Sequence, residues 1–218
     1  MDLSVFLTKV SIYAIPVLFA ITLHEVAHGW AARYFGDRTA EMLGRLSLNP
    51  LRHIDPIGTV LVPGLLLALG GPLFGWAKPV PVASSALRNP RRAMIWVALA
   101  GPAANFLMAA AWCLVLGGML RVNGNQTFDY WIAQMAQAGI VINVILGVFN
   151  LLPIPPLDGG RVLAGLLPPA LGARLQMIEP VGLFIVLGLS MLGVFGWLFV
   201  PALRLVGRII SALYGSPV

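Results

Sequence analysis

The sequence predicts an all-α polytopic membrane protein, and three observations predict it. Of 218 residues, 59% are hydrophobic and only 10% are charged, against about 25% charged in soluble domains. Several apolar runs approach or exceed the roughly 20 residues that a helix needs to cross a bilayer. The 14 Lys and Arg residues, which give a net charge of +6, gather at the ends of those runs, where they anchor and orient membrane helices. That placement accounts for the charge with no nucleic-acid partner.

The elements follow in order. A first helix covers about 4–34 and ends at Gly36-Asp37. No small-residue cleavage site follows its apolar run, so it is read as a span and not as a signal peptide. Residues 37–56 are mixed and polar, with turn signals at Asn49-Pro50 and Asp55-Pro56. Residues 57–77 are apolar but broken by Pro63, Gly70-Gly71-Pro72 and Gly75, so they form a re-entrant or additional membrane segment. The KPVPV piece at 78–82 alternates in a β-like way. A second span covers about 92–120 and a third about 131–152, where PIPPLDGGR breaks the helix. A last apolar stretch covers about 178–203. Cys113 stands alone, so no internal disulfide forms. No repeat or soluble domain is visible, and residues 1–218 are expected to be a single membrane-embedded domain.

Charge suggests the topology. If 57–77 crossed fully, the loop with Arg33, Arg38, Arg45 and Arg52 would face away from the loop with Lys78, Arg88, Arg91 and Arg92. Both are strongly basic, against the positive-inside tendency. A re-entrant 57–77 puts both on the cytoplasmic side, with Arg204 and Arg208 outside as the cost. The N-terminus then lies outside, and the LDGG end of the third span faces the cytoplasm.

Within the first helix stands His24-Glu25-Val26-Ala27-His28. Ionisable groups in a span cost roughly 2.5–3.5 kcal/mol each on insertion scales, so they are rarely there without a task. Positions i and i+4 share a helix face, so His24 and His28 can hold one metal ion. Glu25 beside them can take a proton from metal-bound water, as in zinc hydrolases. Two of the chain's three histidines lie in this motif. A pair of surface histidines with a salt-bridging glutamate would be the ordinary explanation in a soluble helix. An apolar helix does not allow it.

A catalytic zinc takes three protein ligands. The extended metzincin pattern would need histidine six residues after His28, where Tyr34 stands. His24 lies roughly 28 Å along its helix at about 1.5 Å per residue, hence near the inner end. Asp2 and Asp129 fall on the outer side, Asp37 and Glu41 would have to fold back, and Glu179 suits a helix start. Asp158 remains, level with the motif, with His53 and Asp55 as runners-up.

HEVAH in an apolar helix, AGPAANF at 100–106 and NLLPIPPLDGGR at 150–161 together resemble the site-2 protease family of intramembrane zinc metalloproteases. The three motifs stand in the family's order across most of the chain. The resemblance supports Asp158 as third ligand of one Zn2+ per chain. It implies a three-helix catalytic core (about 4–34, 92–120 and 131–157) and cleavage in or at the edge of the bilayer. It also implies a minimal form without PDZ or CBS domains. Substrates would be single-span membrane proteins met in membrane lipid, in the inner or plasma membrane of a prokaryote, with the active site toward the cytoplasm.

Three further residues have more than one reading. Asn105 is either a helix–helix hydrogen bond among small residues or, as the resemblance implies, a group that positions substrate, stabilises an oxyanion or supports the site. Asn150 orients the chain around Asp158 or touches substrate. His53 caps the site, adds a ligand, pairs with Asp55 or is structural. Gly159 and Gly160 are expected to permit the turn that aims Asp158. KPVPV resembles the family's strand-forming piece and would hold an unwound substrate by β-addition. The function expected is an intramembrane zinc endopeptidase, with Glu25 as general base. The alternatives are a zinc-binding membrane transporter and a non-proteolytic substrate-binding homologue. A di-iron oxygenase needs more histidines than three.

Overall fold

The computed structural model describes residues 3–62, 64, 65, 75–121 and 126–215. Its first helix, α1 (Leu3–Tyr34), passes through Pro16 and carries the HEVAH turn in its final third. At about 1.5 Å per residue its 32 residues outrun a hydrocarbon core of roughly 30 Å. A single turn, α2 (Thr39–Met42), follows. The second long helix, α3 (Pro90–Met119), begins at Asn89 in the left-handed region and places Pro90 at its first position, where a missing N–H costs nothing. Then come α4 (Gln126–Asn150), α5 (Asp158–Leu166), α6 (Pro169–Gln176), α7 (Glu179–Met191) and α8 (Val194–Tyr214).

Helices α1, α3 and α4 pack on one another as the expected three-helix core. Small residues set their approach. A Cβ on Gly147 of α4 would lie 2.9 Å from the Phe106 ring of α3, and one on Gly139 would strike Trp112. The terminal helix α8 joins this core through Ile210, which packs with Ala109, Leu116, Ala136, Ile140 and Val144. The polarity is that of a membrane protein. Thr22, His24, Asn105 and Asn143 are buried, whereas Phe19, Leu107 and Leu114 are exposed. Among the described residues, Leu7–Tyr34, Pro90–Met119, Phe128–Asn150 and Val194–Tyr214 are long and apolar enough to cross a membrane. The protein is an all-α polytopic membrane protein.

The structure corrects two boundaries and the conformation of one segment. The third core helix, expected to reach 157, stops at Asn150, and Asp158 opens a separate helix. Pro153, Pro155 and Pro156 lack N–H groups and clash with the preceding turn, so the helix cannot continue. The last apolar stretch, expected as one span over 178–203, is two helices joined at Leu192-Gly193, where Gly193 takes φ 71°. The 13 residues of α7 are too short to cross alone; with α6 they form a pair bent by 65°. The KPVPV piece at 78–82 lies in neither helix nor strand, and no strand occurs among the described residues. Of the segment at 57–77, Pro56–Leu61 is a π-helical turn capped by Asp55. Pro63 and 66–74 lie outside the described residues, and with them the choice between re-entry and crossing.

Candidate metal centre

His24, His28 and Asp158 come together from α1 and α5. The two Nε2 atoms are 3.0 Å apart, and Asp158 Oδ2 lies 3.3 Å from each. Side chains of His28 and Asp158 are only 11% and 10% exposed. Among the described residues this is the one group of three or more His, Cys, Asp or Glu side chains placed to share a metal ion.

The surroundings decide which ring nitrogens carry protons. His28 Nδ1 lies 2.7 Å from the Val97 carbonyl. A carbonyl only accepts, so Nδ1–H donates and Nε2 of the neutral ring keeps its lone pair. His24 Nδ1 lies 2.6 Å from Asn105 Oδ1 and is fixed in the same way. Two bare nitrogens therefore face each other and a carboxylate oxygen. Asp158 Oδ2 is a buried atom with no hydrogen-bond donor. Three converging lone pairs in a buried place repel unless a cation lies among them, so the donor set fits a metal ion. Two imidazoles and one carboxylate, each imidazole backed by an acceptor, is a ligand set suited to zinc.

Gly101 on α3 makes the room. A Cβ there would sit 2.6 Å from Cε1 of both His24 and His28. Two more glycines bring Asp158 in, though not by freeing a turn. Gly159 and Gly160 are absent from the positive-φ residues. They are small because the first turn of α5 presses on the link before it. A Cβ on Gly159 would strike the Leu151 and Leu152 carbonyls, and one on Gly160 would lie 2.7 Å from Ile154 C.

Glu25 is tied to the loop that covers α1. Its Oε2 accepts a 2.7 Å hydrogen bond from Val80 N–H. One turn on, a Cβ on Gly29 would be 3.0 Å from Val80 Cγ1, so the loop rests directly on the helix. Arg45 donates to the carbonyl of Lys78 at 2.9 Å, and Lys78 N–H donates to the His53 carbonyl at 2.9 Å. Asp37 holds the far end, accepting from Thr39 N and Oγ1 and from Ala83 N. Burial acts to raise the Asp37 pKa, but the donors of Thr39 and Ala83 outweigh it, and the carboxyl sits below its ordinary value. Pro79 and Pro81 have no N–H, and those of Lys78 and Val80 are already bonded. A substrate strand would therefore have to pair with the remaining carbonyls and Val82 N–H.

The remaining expected residues fall elsewhere or take narrower parts. Both N–H groups of Asn105 are engaged, with Asn143 Oδ1 at 3.0 Å and the Ala20 carbonyl at 3.3 Å. Its amide therefore supports His24 and has no donor aimed at an oxyanion. Asn150 Nδ2 donates to the Leu146 carbonyl of its own helix at 3.0 Å. His53 is 1% exposed and outside the ligand group; its Nε2–H donates to the Ser47 carbonyl at 2.8 Å. Asp55 caps the turn at Pro56 by accepting from Ile57 and Gly58 N–H. Sequence reasoning missed Asn143 and Gly101. Asn143 had a signal, a polar residue in an apolar span, whereas Gly101 had none beyond its place in AGPAANF.

Comparison with known proteins agrees with this geometry. Peptidase family M50 matches residues 113–192, the part that carries α4 and Asp158. The chain is 39% identical over 183 residues to "Putative zinc metalloprotease YwhC" of Bacillus subtilis, covering 82% of this chain and 80% of that protein. It is 34% identical over 169 residues to "Putative zinc metalloprotease Rip2" of Mycolicibacterium smegmatis, covering 78% and 62%. The Rip2 of Mycobacterium tuberculosis is 32% identical over 187 residues, covering 84% and 68%. No solved structure matches the chain. Fold, site and relatives define a zinc metalloprotease built from membrane helices. The chain belongs to peptidase family M50, the family of the site-2 proteases.

Proposed function

We propose that this metalloprotease cleaves peptide bonds of membrane-spanning proteins, with zinc held by His24, His28 and Asp158 and with Glu25 as general base. The observation that carries the reading is the buried set of three lone-pair donors, with Glu25 next to the first of them, near one end of a lipid-exposed helix. When bound there, zinc supplies a Lewis acid and lets water ionise near neutral pH. The chain's own residues do the rest. Val80 N–H holds one oxygen of Glu25. The carboxylate takes the proton of the attacking water and returns it to the leaving amide nitrogen as the C–N bond breaks. The products are a carboxylate and an amine. Asn105 and the Val97 carbonyl keep the imidazoles turned with Nε2 inward.

In this reading the chain is one membrane-embedded domain, and a re-entrant 57–77 with its basic flanking loops favours an active site on the cytoplasmic side of a prokaryotic inner or plasma membrane. Single-span proteins, laterally mobile in the same lipid, are the substrates. Family membership leaves no support for the transport reading. The test is reconstitution in liposomes with a single-span reporter, followed by mass spectrometry of the fragments. A cut inside or at the cytoplasmic edge of the span is expected. Cleavage confined to water-soluble peptides, with the reporter intact, contradicts the proposal.

A further inference from the structure

The buried polar residues of the core form a chain that crosses all three helices. Asn143 of α4, Asn105 of α3 and His24 of α1 are each buried, the two asparagines at 0% exposure. Asn143 Nδ2 donates to the Gly139 carbonyl at 2.8 Å. A carbonyl only accepts, which turns Asn143 Oδ1 the other way, onto Asn105 Nδ2 at 3.0 Å. The Ala20 carbonyl accepts from the same Asn105 nitrogen at 3.3 Å. Asn105 thus has its nitrogen facing two acceptors, and its Oδ1 is left to face His24 Nδ1 at 2.6 Å. An amide flipped the other way would present N–H to His24 and two oxygens to each other. That state would favour the tautomer with the proton on Nε2, the nitrogen that has to be bare to bind a metal.

We infer that Asn143 is a positioning residue for the metal centre, acting through Asn105 to fix the orientation and tautomer of His24. The inference rests on the proposed zinc assignment. It explains why α4 carries an amide at a fully buried site where an apolar side chain would be simpler to bury. It also gives the Asn143–Gly139 hydrogen bond a purpose beyond its own helix, since that bond breaks the symmetry of the amide.

The test is zinc affinity of the purified full chain in detergent, measured by chelator competition, with thermal unfolding of the metal-free protein as a folding control. Asn105→Ala is expected to weaken zinc binding roughly tenfold or more, the usual loss for a residue backing a ligand. Asn143→Leu is expected to weaken it roughly fivefold or more and to add nothing in the Asn105→Ala background. Asn143→Asp keeps an acceptor toward Asn105 and, protonated, a donor toward Gly139, so it is expected to restore binding close to wild type. Wild-type affinity in Asn143→Leu, or an equal additional loss in the double variant, overturns the inference. His24→Ala separates the two levels. If it binds zinc normally, the ligand assignment itself fails; if it loses zinc while Asn143→Leu binds normally, only the role of Asn143 fails.

Discussion

Glu25 Oε2 and Val80 N–H are joined by a 2.7 Å hydrogen bond that links the glutamate of the HExxH turn to the loop lying over it. The helix alone sets where the Glu25 Cα lies, but this bond sets where its carboxylate points. Removing the donor with Val80→Pro deletes one charge-assisted hydrogen bond, worth about 1.5–3 kcal/mol. Turnover is expected to fall roughly ten- to a hundredfold while zinc content stays whole. Steady-state kinetics beside metal analysis checks this, and a variant with unchanged kcat would show that the bond has no part in aiming the base.

Gly101 is the space into which both imidazoles fit. Gly101→Ala puts a methyl group 2.6 Å from Cε1 of His24 and of His28, closer than any side chain accepts. The helices have to part or the rings have to turn. Overpacking of this kind costs about 1–3 kcal/mol, and zinc affinity is expected to drop about tenfold or more. Chelator competition provides the measurement, with Gly118→Ala as the control on the same helix, since a Cβ there meets nothing within 4 Å.

Asp158 is the ligand delivered from outside α1. Asp158→Ala is expected to leave the chain folded, because the buried Oδ2 has no hydrogen-bond partner to lose, and to abolish stoichiometric zinc. Metal analysis by mass spectrometry, with size-exclusion profiles to confirm folding, decides it.

Asp37 bears on stability rather than chemistry. It ties the end of α1 to Thr39 and Ala83, and Asp37→Ala is expected to destabilise the protein by about 2 kcal/mol at pH 7. Its folded pKa is lowered, so its contribution is complete above the unfolded value of about 3.9 and is lost as pH falls through the folded value. The gap between wild type and variant, read from thermal unfolding, should therefore narrow only below about pH 4.

What could be read beforehand followed from residue chemistry, and what could not depended on packing between helices. The first two core helices came out within a residue or two because long apolar runs have no other stable state in lipid. His24 and His28 were visible because ionisable groups are conspicuous there. Asp158 was reached by counting the remaining carboxylates. The break after Asn150 was signalled by three prolines, yet where the chain restarted was not, since α5 begins only where Gly159 and Gly160 let it press on residues 151–155. KPVPV showed alternation but not its partners, because Glu25, Arg45 and His53 reach it from distant parts of the sequence. Composition alone offers His53 a role at the metal, since it is the one histidine outside the HExxH turn. Its ring instead closes the loop back to Ser47.

The central claim is that Glu25 moves protons and does not hold metal. Glu25→Gln keeps the shape of the side chain and its acceptor oxygen toward Val80 N–H but cannot take a proton. The decisive measurement is zinc content and reporter cleavage on the same purified Glu25→Gln protein. One zinc per chain with cleavage reduced by about three orders of magnitude or more is the predicted result. Cleavage near the wild-type rate, or loss of the zinc, would contradict the account.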